Sequence, residues 1–367
     1  MKQTTLKTIM LVIALFTQYA TAQNFTVKWN VISKERGTGE IYCECGKNEH
    51  NAMPLPDPNC KHSGRYVLPS KDVKDGKMYI FTSIYDSFSG CKLSSVVIPN
   101  GINTIRRSFF GCGKLMSVTL PNSIAKLWGS FNDLPSLSSI TIPNSVTEME
   151  SCFNGCKKLS SITIPNGLTK LDVCFNKCDN LKSISIPNSI TEIDGSFKDL
   201  PLLSSVIIPN SITKLRRSFN HLPLLSSIII PNSVTEMESC FLGCKSLSSI
   251  TISNGLTELD RCFWNCKSLS SITIPNGLTE LDRCFRGCDN LKSIIIPNSI
   301  NKIRKCFDGC FSLKTITILN PIPPECLFSS EIENEIINAT LFVPKGALKA
   351  YQEHDVWKQF KNIKEIE

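Results

Sequence analysis

Histidine is scarce in this chain: its 367 residues include four, at positions 50, 62, 221 and 354. Histidine is the usual general base of enzymes and the commonest metal ligand, so this scarcity disfavours catalytic and metal sites. His221 is the one histidine in the repetitive middle of the chain, and Asp133, Gly155 and Asp199 take its position in other repeats. An active site would interrupt the repeats locally, which is not seen, so we predict no enzymatic activity and no cofactor.

Long apolar runs are also lacking, with one exception near the start. Two lysines precede the apolar run of residues 9–16, and Ala20-Thr21-Ala22 has the small-x-small form of a signal-peptidase site. A permanent membrane helix needs about 20 apolar residues, so this run is too short to be one. We therefore expect residues 1–22 to be a signal peptide and the mature chain to begin at Gln23. Such a protein is exported to the medium or the cell surface, or to the periplasm, and has no membrane span after cleavage.

A one-sided excess of charge is the third missing feature. The 40 lysines and arginines are balanced by 32 aspartates and glutamates, and the two signs are interspersed along the chain. Nucleic-acid binding requires a concentrated basic stripe, so nucleic acid is not a predicted partner.

The dipeptide Pro-Asn, by contrast, recurs with a strict period of 22 residues. Its prolines are Pro99, Pro121, Pro143, Pro165, Pro187, Pro209, Pro231, Pro275 and Pro297. Ser253 takes the one missing place in this series. A period in the twenties with leucines in fixed columns is typical of a solenoid in which each repeat forms one coil.

Each repeat contains an alternating segment and an aromatic column. In one repeat, Ile162 and Ile164 are apolar while Ser161 and Thr163 are polar, which predicts one half-buried strand per coil. Further along, each repeat has a phenylalanine that we expect in the core on the outer side. These are Phe109, Phe131, Phe153, Phe175, Phe197, Phe219, Phe241, Phe263, Phe285 and Phe307.

The predicted fold is an α/β leucine-rich-repeat solenoid. One parallel β-sheet should line its concave face, with short turns or helical segments on the convex face. The end coils have no neighbour on one side and must be capped. We expect an N-terminal cap over residues 23–66, repeats over 67–319, and a C-terminal cap over 320–367 that contains a short helix at 347–360.

The repeat consensus L-S-S-I-T-I-P-N-S-V-T-E-M-x-x-C-F-x-G-C resembles the leucine-rich repeats of the BspA type, also called the Treponema type. The resemblance covers residues 65–367, and the closing segment LFVPKGALKAYQEHDVWKQFKNI is similar to the family's usual C-terminal cap. Two departures are a period one residue shorter than usual and Cys-Phe where the family tends to have Ala-Phe. The family is common in surface proteins of Bacteroidetes and some protists. The resemblance implies adhesion to host matrix proteins, host cells or other microbes.

Six coils carry two cysteines each: the first slot directly precedes the phenylalanine and the second slot follows it by three residues. The pairs are Cys152 with Cys156, Cys174 with Cys178, Cys240 with Cys244, Cys262 with Cys266, Cys284 with Cys288, and Cys306 with Cys310. Three other coils have serine and leucine in these slots. The pattern favours buried columns of free thiols. Disulfides within each pair are the alternative, since they are geometrically feasible in an oxidising compartment.

A separate group of cysteines and histidines lies in the front cap: Cys43, Cys45, His50, Cys60 and His62. Zinc uses ligands of these types, but their spacing matches no standard zinc finger. We therefore expect a disulfide of Cys60 with Cys43 or Cys45, and no metal.

The outward column of the predicted strands is the candidate binding surface. It consists of Thr119, Thr141, Thr163, Ser185, Ile207, Ile229, Thr251, Thr273 and Ile295, and a column of serines runs beside it. This broad, neutral, hydroxyl-bearing surface with an apolar step at Ile207 and Ile229 suits a protein or glycan held by many weak contacts. Alternatively, these side chains simply solvate the sheet.

Beyond the proline turn, a charged column alternates in sign over six coils. Its members are Lys126, Glu148, Lys170, Glu192, Lys214 and Glu236, followed by Glu258, Glu280 and Lys302. Stacking should place each charge of the alternating part beside its opposite, which favours a structural role. The pairs Arg106-Arg107 and Arg216-Arg217 are weaker candidates for contact with acidic glycans. Phe110, Leu242 and Trp264 share one loop column, where they either stay exposed or pack on a neighbouring loop.

Together these features predict an exported leucine-rich-repeat protein that binds an extracellular protein or glycan and mediates adhesion. A structural or scaffold role in the cell envelope, without an external ligand, is the alternative. The sequence predicts neither the ligand nor the oligomeric state.

Overall fold

The structure is a computed structural model, and it describes residues 28–34, 36, 38–42, 63–252, 254–327 and 334–367. The predicted signal peptide and the cysteine and histidine group of the front cap lie outside these residues.

The described chain is a stack of parallel strands joined by turns, with helix confined to the C-terminal end. The strands are β1 (Lys28–Ser33), β2 (Thr38–Tyr42), β3 (Ser63–Val67), β4 (Lys71–Lys74), β5 (Lys77–Tyr85), β6 (Lys92–Val97), β7 (Thr104–Arg106), β8 (Ser117–Thr119), β9 (Lys126–Trp128), β10 (Glu148–Glu150), β11 (Lys170–Asp172), β12 (Glu192–Asp194), β13 (Lys214–Arg216), β14 (Ser227–Ile230), β15 (Glu236–Glu238), β16 (Ser249–Ile252), β17 (Glu258–Asp260), β18 (Glu280–Asp282), β19 (Ser293–Ile296), β20 (Lys302–Arg304), β21 (Thr315–Ile318), β22 (Glu325–Leu327), β23 (Thr340–Val343) and β24 (Asn362–Glu365). The helices are α1 (Asn334–Ile337) and α2 (Leu348–Glu353), followed by a 3-10 turn at Trp357–Gln359. The predicted solenoid of stacked parallel strands is confirmed.

The longest sheet lies after the proline turn rather than at the serine-rich segments. Within the described residues it has 15 strands, ordered β1-β2-β5-β7-β9-β10-β11-β12-β13-β15-β17-β18-β20-β22, with β4 beside β5. Consecutive strands pair in steps of 22 residues, as Leu127 does with Met149. Most of the three-residue strands bury their middle apolar residue and turn the two flanking residues outward, as β9 and β10 do. Thr104 of β7 and Asp194 of β12 are flanking residues that are buried. We call this outward surface the charged face.

The serine-rich segments that the sequence analysis predicted as strands form shorter sheets. In the described part of the chain these are β3-β6-β8, β14-β16 and β19-β21-β23-β24. Between them, single parallel bridges join Thr163 to Ser185 and Thr273 to Ile295. The solenoid therefore has a second column of strands that the sequence analysis did not predict. In some coils, for example at residues 139–142 and 205–208, the serine-rich segment is not a strand. We call the outward surface of the serine-rich column the hydroxyl face.

The phenylalanine column forms the predicted core. Its rings are fully buried and stack coil upon coil, with centroids 5.1 Å apart at Phe88 and Phe109 and 6.2 Å apart at Phe241 and Phe263. In eight coils, from Phe88 to Phe241, the phenylalanine has a φ of 61–62°, in the left-handed region. Aromatic residues rarely adopt this conformation. The backbone is nevertheless held there, since Phe131 donates its N–H to Ser108 in the preceding coil at 3.1 Å.

Both ends of the array are closed by additional elements. At the front, β1 and β2 form an antiparallel hairpin, and β2 joins β5 in parallel. At the back, Trp357 is fully buried and its indole donates to the carbonyl oxygen of Pro324 at 2.9 Å. Helix α2 ends at Glu353, where the backbone becomes extended, so it is shorter than the predicted span of 347–360. Within the described ranges, no helix combines the length and apolarity needed to cross a membrane.

Candidate binding surface

The hydroxyl face brings all nine predicted binding residues onto one side of the solenoid. Each of their side chains is exposed, and the isoleucine or valine before it in sequence is buried. Strand pairing aligns six of them coil to coil: Ile229 with Thr251, Thr163 with Ser185, and Thr273 with Ile295. The serine column two residues earlier is outward as well. The nine residues therefore form a continuous surface that is available to a ligand.

Isoleucines interrupt this polar surface. Ile207 is 83% exposed and Ile229 is 70% exposed, and they occupy the same position in adjacent coils. Ile295 is also exposed, three coils further along. Isolated exposed apolar residues are ordinary, but two large ones in adjacent coils form an apolar step in the middle of the polar hydroxyl face. No described residue covers this step.

A shallow groove of about 340 Å³ crosses the hydroxyl face near its C-terminal half. Its outward lining includes Ser249, Ser271, Thr273, Ser293 and Ile295. Hydroxyl groups both donate and accept hydrogen bonds, so this lining suits a polar ligand with an apolar edge. Two of the nine predicted residues, Thr273 and Ile295, belong to the groove.

On the charged face, the predicted alternation of charge is confirmed by ion pairs between coils. Lys126 lies 2.7 Å from Glu148, and Lys214 lies 2.8 Å from Glu236. Lys170 contacts Glu192 at 3.3 Å in the same way. The hydrogen bond from Lys214, reinforced by Arg216, lowers the pKa of Glu236. These contacts align neighbouring coils at the surface.

The alternation ends after Glu236, where Glu258 and Glu280 continue the column. Together with Asp260 and Asp282 they line a groove of about 460 Å³. Burial raises the pKa of Asp260, and the neighbouring Asp282 adds to this effect. In the described part of the chain, however, no three histidine, cysteine, aspartate or glutamate side chains are grouped so that they could hold a metal ion.

The two arginine pairs are engaged differently. Arg107 makes two hydrogen bonds to Asp86, at 2.6 and 2.7 Å. Arg217 binds Asp194 in the same two-pronged manner, and Arg216 donates to Glu236 at 2.6 Å. The guanidinium of Arg106 instead lies 5.9 Å from the centre of the Trp128 ring.

The twelve paired cysteines of the repeats are free, buried thiols in the structure, and none of the six pairs is a disulfide. In the first slot, the thiol donates to the backbone two residues earlier, as Cys152 does to Glu150 at 3.1 Å. Serine makes the same bond in this slot, as Ser130 does to Trp128 at 3.0 Å. The two residue types are therefore interchangeable there. Cys91, at the front of the array, is disulfide-bonded.

The loop column that contains Phe110, Leu242 and Trp264 is only half-buried. Trp264 packs on the next coil, where the Arg286 guanidinium lies 5.0 Å from its ring. The same column holds an asparagine ladder that the sequence analysis missed. The Asn132 side chain accepts from the backbone N–H of Asn154 at 2.8 Å and donates to the carbonyl of Ser151 at 2.7 Å. The signal for it was asparagine directly after phenylalanine in three successive repeats.

Comparisons with known proteins agree with this architecture. The family described as BspA type leucine rich repeat region (6 copies) matches residues 82–196, 128–220, 172–285 and 216–333. Among curated proteins, none matches the chain.

Several solved bacterial structures are similar to the chain. The pneumococcal vaccine antigen PcpA is 17% identical, with 94% of this chain and 98% of that chain covered and a TM-score of 0.53. A leucine-rich repeat protein from Bacteroides ovatus is 23% identical, with 94% and 100% covered and a TM-score of 0.46. A leucine rich cell surface protein from Faecalibacterium prausnitzii is 22% identical, with 81% and 96% covered and a TM-score of 0.43. The similarity to PcpA supports the fold alone. Because the overlapping family matches extend over more than half of the sequence, this chain belongs to the BspA-type leucine-rich-repeat family.

Proposed function

We propose that the protein is exported and binds an extracellular protein or glycan through its hydroxyl face, acting in adhesion. The observation that carries this proposal is the exposed pair Ile207 and Ile229 at the middle of a continuous polar surface. Leucine-rich repeats generally bind proteins, and repeat arrays commonly use an extended sheet surface to do so.

The distribution of side chains on this face resembles that of a protein interface. Interfaces typically have an apolar centre and a polar rim whose groups form hydrogen bonds to the partner. Here Ile207 and Ile229 provide the centre, while Thr163 and Ser185 on one side and Thr251 and Thr273 on the other provide the rim. A ligand that covers both isoleucines would also reach hydroxyl groups in the flanking coils.

Export and a surface location have separate support. The N-terminal apolar run with its small-x-small site favours secretion. The similar protein from Faecalibacterium prausnitzii is described as a cell surface protein. The regular repeats, which contain no local break suited to catalysis, favour binding over enzymatic activity.

The test is binding of the mature chain, Gln23 to Glu367, to an array of extracellular-matrix proteins, mucins and glycans. A variant with Thr141, Thr163, Ile207 and Ile229 changed to Glu should lose the saturable signal, because four charges then lie on the proposed contact surface. The milder variant I207T/I229T matches the rest of the column and should weaken binding without abolishing it. Far-UV circular dichroism establishes that both variants are folded.

Two results would contradict the proposal. Equal binding by the quadruple Glu variant would place the ligand elsewhere on the molecule. Absence of binding to every target would leave the hydroxyl face as solvated sheet, and a scaffold role in the envelope would then be tested by co-purification with envelope components.

A further inference from the structure

We propose that Tyr85, Arg106, Lys126 and Trp128 form a second binding site, on the charged face near the front of the array, for an anionic saccharide that carries carboxylate or sulfate groups. This site lies on the other column of strands from the hydroxyl face, so it does not depend on the proposed adhesion surface.

Strand register brings these residues together. Tyr85, Arg106 and Trp128 occupy paired positions on β5, β7 and β9, so an arginine lies between two aromatic side chains. Neighbouring strands are about 4.8 Å apart, which places Arg106 within contact range of the aromatic side chain on either side. The ammonium group of Lys126 lies 5.2 Å from the Trp128 ring centre, and the Arg106 guanidinium lies 5.9 Å from it. Two cations therefore flank one indole on an open sheet surface.

Arg106 differs from the other three arginines of the two arginine pairs. Arg107, Arg216 and Arg217 each bind a carboxylate of the protein. Arg106 is exposed, and among the described residues no carboxylate of the protein binds it. An exposed guanidinium whose only described partner is an aromatic ring keeps its donors available for an external anion.

The charges around Trp128 are asymmetric, and this asymmetry orients a ligand. Glu150 pairs with Trp128 on the side opposite to Arg106 and is exposed. Lys126 is bound to Glu148 at 2.7 Å, so its charge is partly balanced. An anionic group should therefore bind on the Arg106 side, with the uncharged part of the ligand over the indole.

A saccharide fits this arrangement better than an acidic peptide. The planar guanidinium matches the paired oxygens of a carboxylate or sulfate. The indole offers a flat apolar surface for the C–H face of a sugar ring, while the Tyr85 hydroxyl can bond to sugar hydroxyls. An acidic peptide would need the cation but not the two aromatic neighbours. The open sheet surface, without a closed pocket, suits one unit of an extended chain.

The experiment titrates the mature chain, Gln23 to Glu367, with hyaluronan fragments, heparin fragments and neutral dextran, using calorimetry and tryptophan fluorescence. Hyaluronan carries only carboxylates, whereas heparin also carries sulfates, so the pair identifies the preferred anion. We expect binding of at least one of the two acidic polysaccharides, no binding of dextran, and a fluorescence change that disappears in W128F. R106Q should weaken the affinity roughly tenfold, the loss expected for one charge-assisted contact.

Matched variants separate a specific site from general attraction. R216Q removes the same charge at the equivalent position of an arginine that is already ion-paired, and it should leave the affinity unchanged. E150Q removes the repulsive carboxylate and should strengthen binding severalfold. The quadruple Glu variant of the hydroxyl face should still bind the polysaccharide, so failure of one site does not imply failure of the other.

Three outcomes would overturn the inference. The first is that neither acidic polysaccharide binds. The second is that R216Q weakens binding as much as R106Q, which would indicate general electrostatic attraction. The third is that poly-glutamate binds as tightly as the polysaccharides, which would identify an acidic peptide as the ligand.

Discussion

The thiol of Cys156 donates to the carbonyl oxygen of Phe131, in the preceding coil, at 3.2 Å. The same bond recurs in the other second slots, for example from Cys178 to Phe153 at 3.2 Å and from Cys244 to Phe219 at 3.1 Å. The second-slot cysteines thus provide hydrogen-bond donors for the buried carbonyl groups of the phenylalanines. A disulfide would remove the hydrogen that makes this bond, so the contact favours the free thiol.

The two slots should respond differently to substitution. We expect C152S to change the free energy of unfolding by less than about 1 kcal/mol, because serine already makes the first-slot bond in other coils. We expect C156A to destabilise the protein by about 1–3 kcal/mol, because it leaves a buried carbonyl without its donor. Urea unfolding midpoints measure both. Equal losses in the two variants would show that the thiol contributes volume rather than a hydrogen bond.

Alkaline pH should destabilise the protein through these buried thiols. Burial raises the pKa of Cys152, Cys240 and Cys244 to about 12 in the folded chain. An unfolded thiol has a pKa near 8.5, so above about pH 9 the unfolded chain loses thiol protons that the folded chain keeps. The free energy of unfolding should therefore be insensitive to these groups below about pH 8 and fall between about pH 9 and 12, by at most about 1.4 kcal/mol per pH unit for each thiol.

This pH dependence is measured by urea unfolding under reducing conditions at several pH values from 7 to 10. The double variant C152S/C240S serves as the control, because it removes two titrating groups without removing the first-slot hydrogen bonds. Its stability should fall less steeply above pH 9. Identical slopes for the variant and the parent would show that other groups cause the alkaline loss.

The sequence predicted the features that depend on the period. A strict repeat of 22 residues determines which side chains become neighbours, so the pairing of Lys126 with Glu148 followed from counting. The exposure of Ile207 followed from the alternation of apolar and polar residues in its serine-rich segment. The longest sheet was not predicted, because a strand of three residues is too short to show alternation.

Other features depend on tertiary contacts that no local pattern encodes. Phe131 has a left-handed backbone although aromatic residues disfavour it, because stacking and bonds between coils outweigh the local preference. Arg106 and Arg216 have the same sequence context in their repeats. Their roles differ because the following coil places Trp128 beside Arg106, whereas it places Glu236 within hydrogen-bond distance of Arg216.

Restoring charge alternation should stabilise the array. Glu258 is paired in register with Glu236, and Glu280 continues the column in the next coil. E258K places a cation between two carboxylates, and we expect a gain of about 0.2–1 kcal/mol in the free energy of unfolding. The gain should shrink at 1 M salt, where screening is strong. E148K is the matched control, because it replaces a carboxylate that already has a cationic neighbour, and it should destabilise the protein.

The last prediction concerns the C-terminal cap, where Trp357 closes the stack. Coils of a solenoid are stabilised by their neighbours, so the final coil depends on the residues that cover it. W357F keeps most of the buried ring but loses the hydrogen bond to Pro324, which should cost about 1 kcal/mol. W357A removes the whole ring and should cost about 3–5 kcal/mol, as large truncations of buried aromatic side chains do. W264F, at a half-buried loop position, should have a smaller effect.

The location of the damage tests the capping role more strictly than its size. If Trp357 acts as a cap, hydrogen exchange in W357A should accelerate first in β23 and β24 and in the last repeats, while the strands near Lys126 stay protected. Contacts in a solenoid reach only adjacent coils, so the loss of protection should decline with distance from the C-terminal end. A uniform increase along the whole array would mean that the molecule unfolds as one cooperative unit and that Trp357 contributes to its stability as any other core residue does.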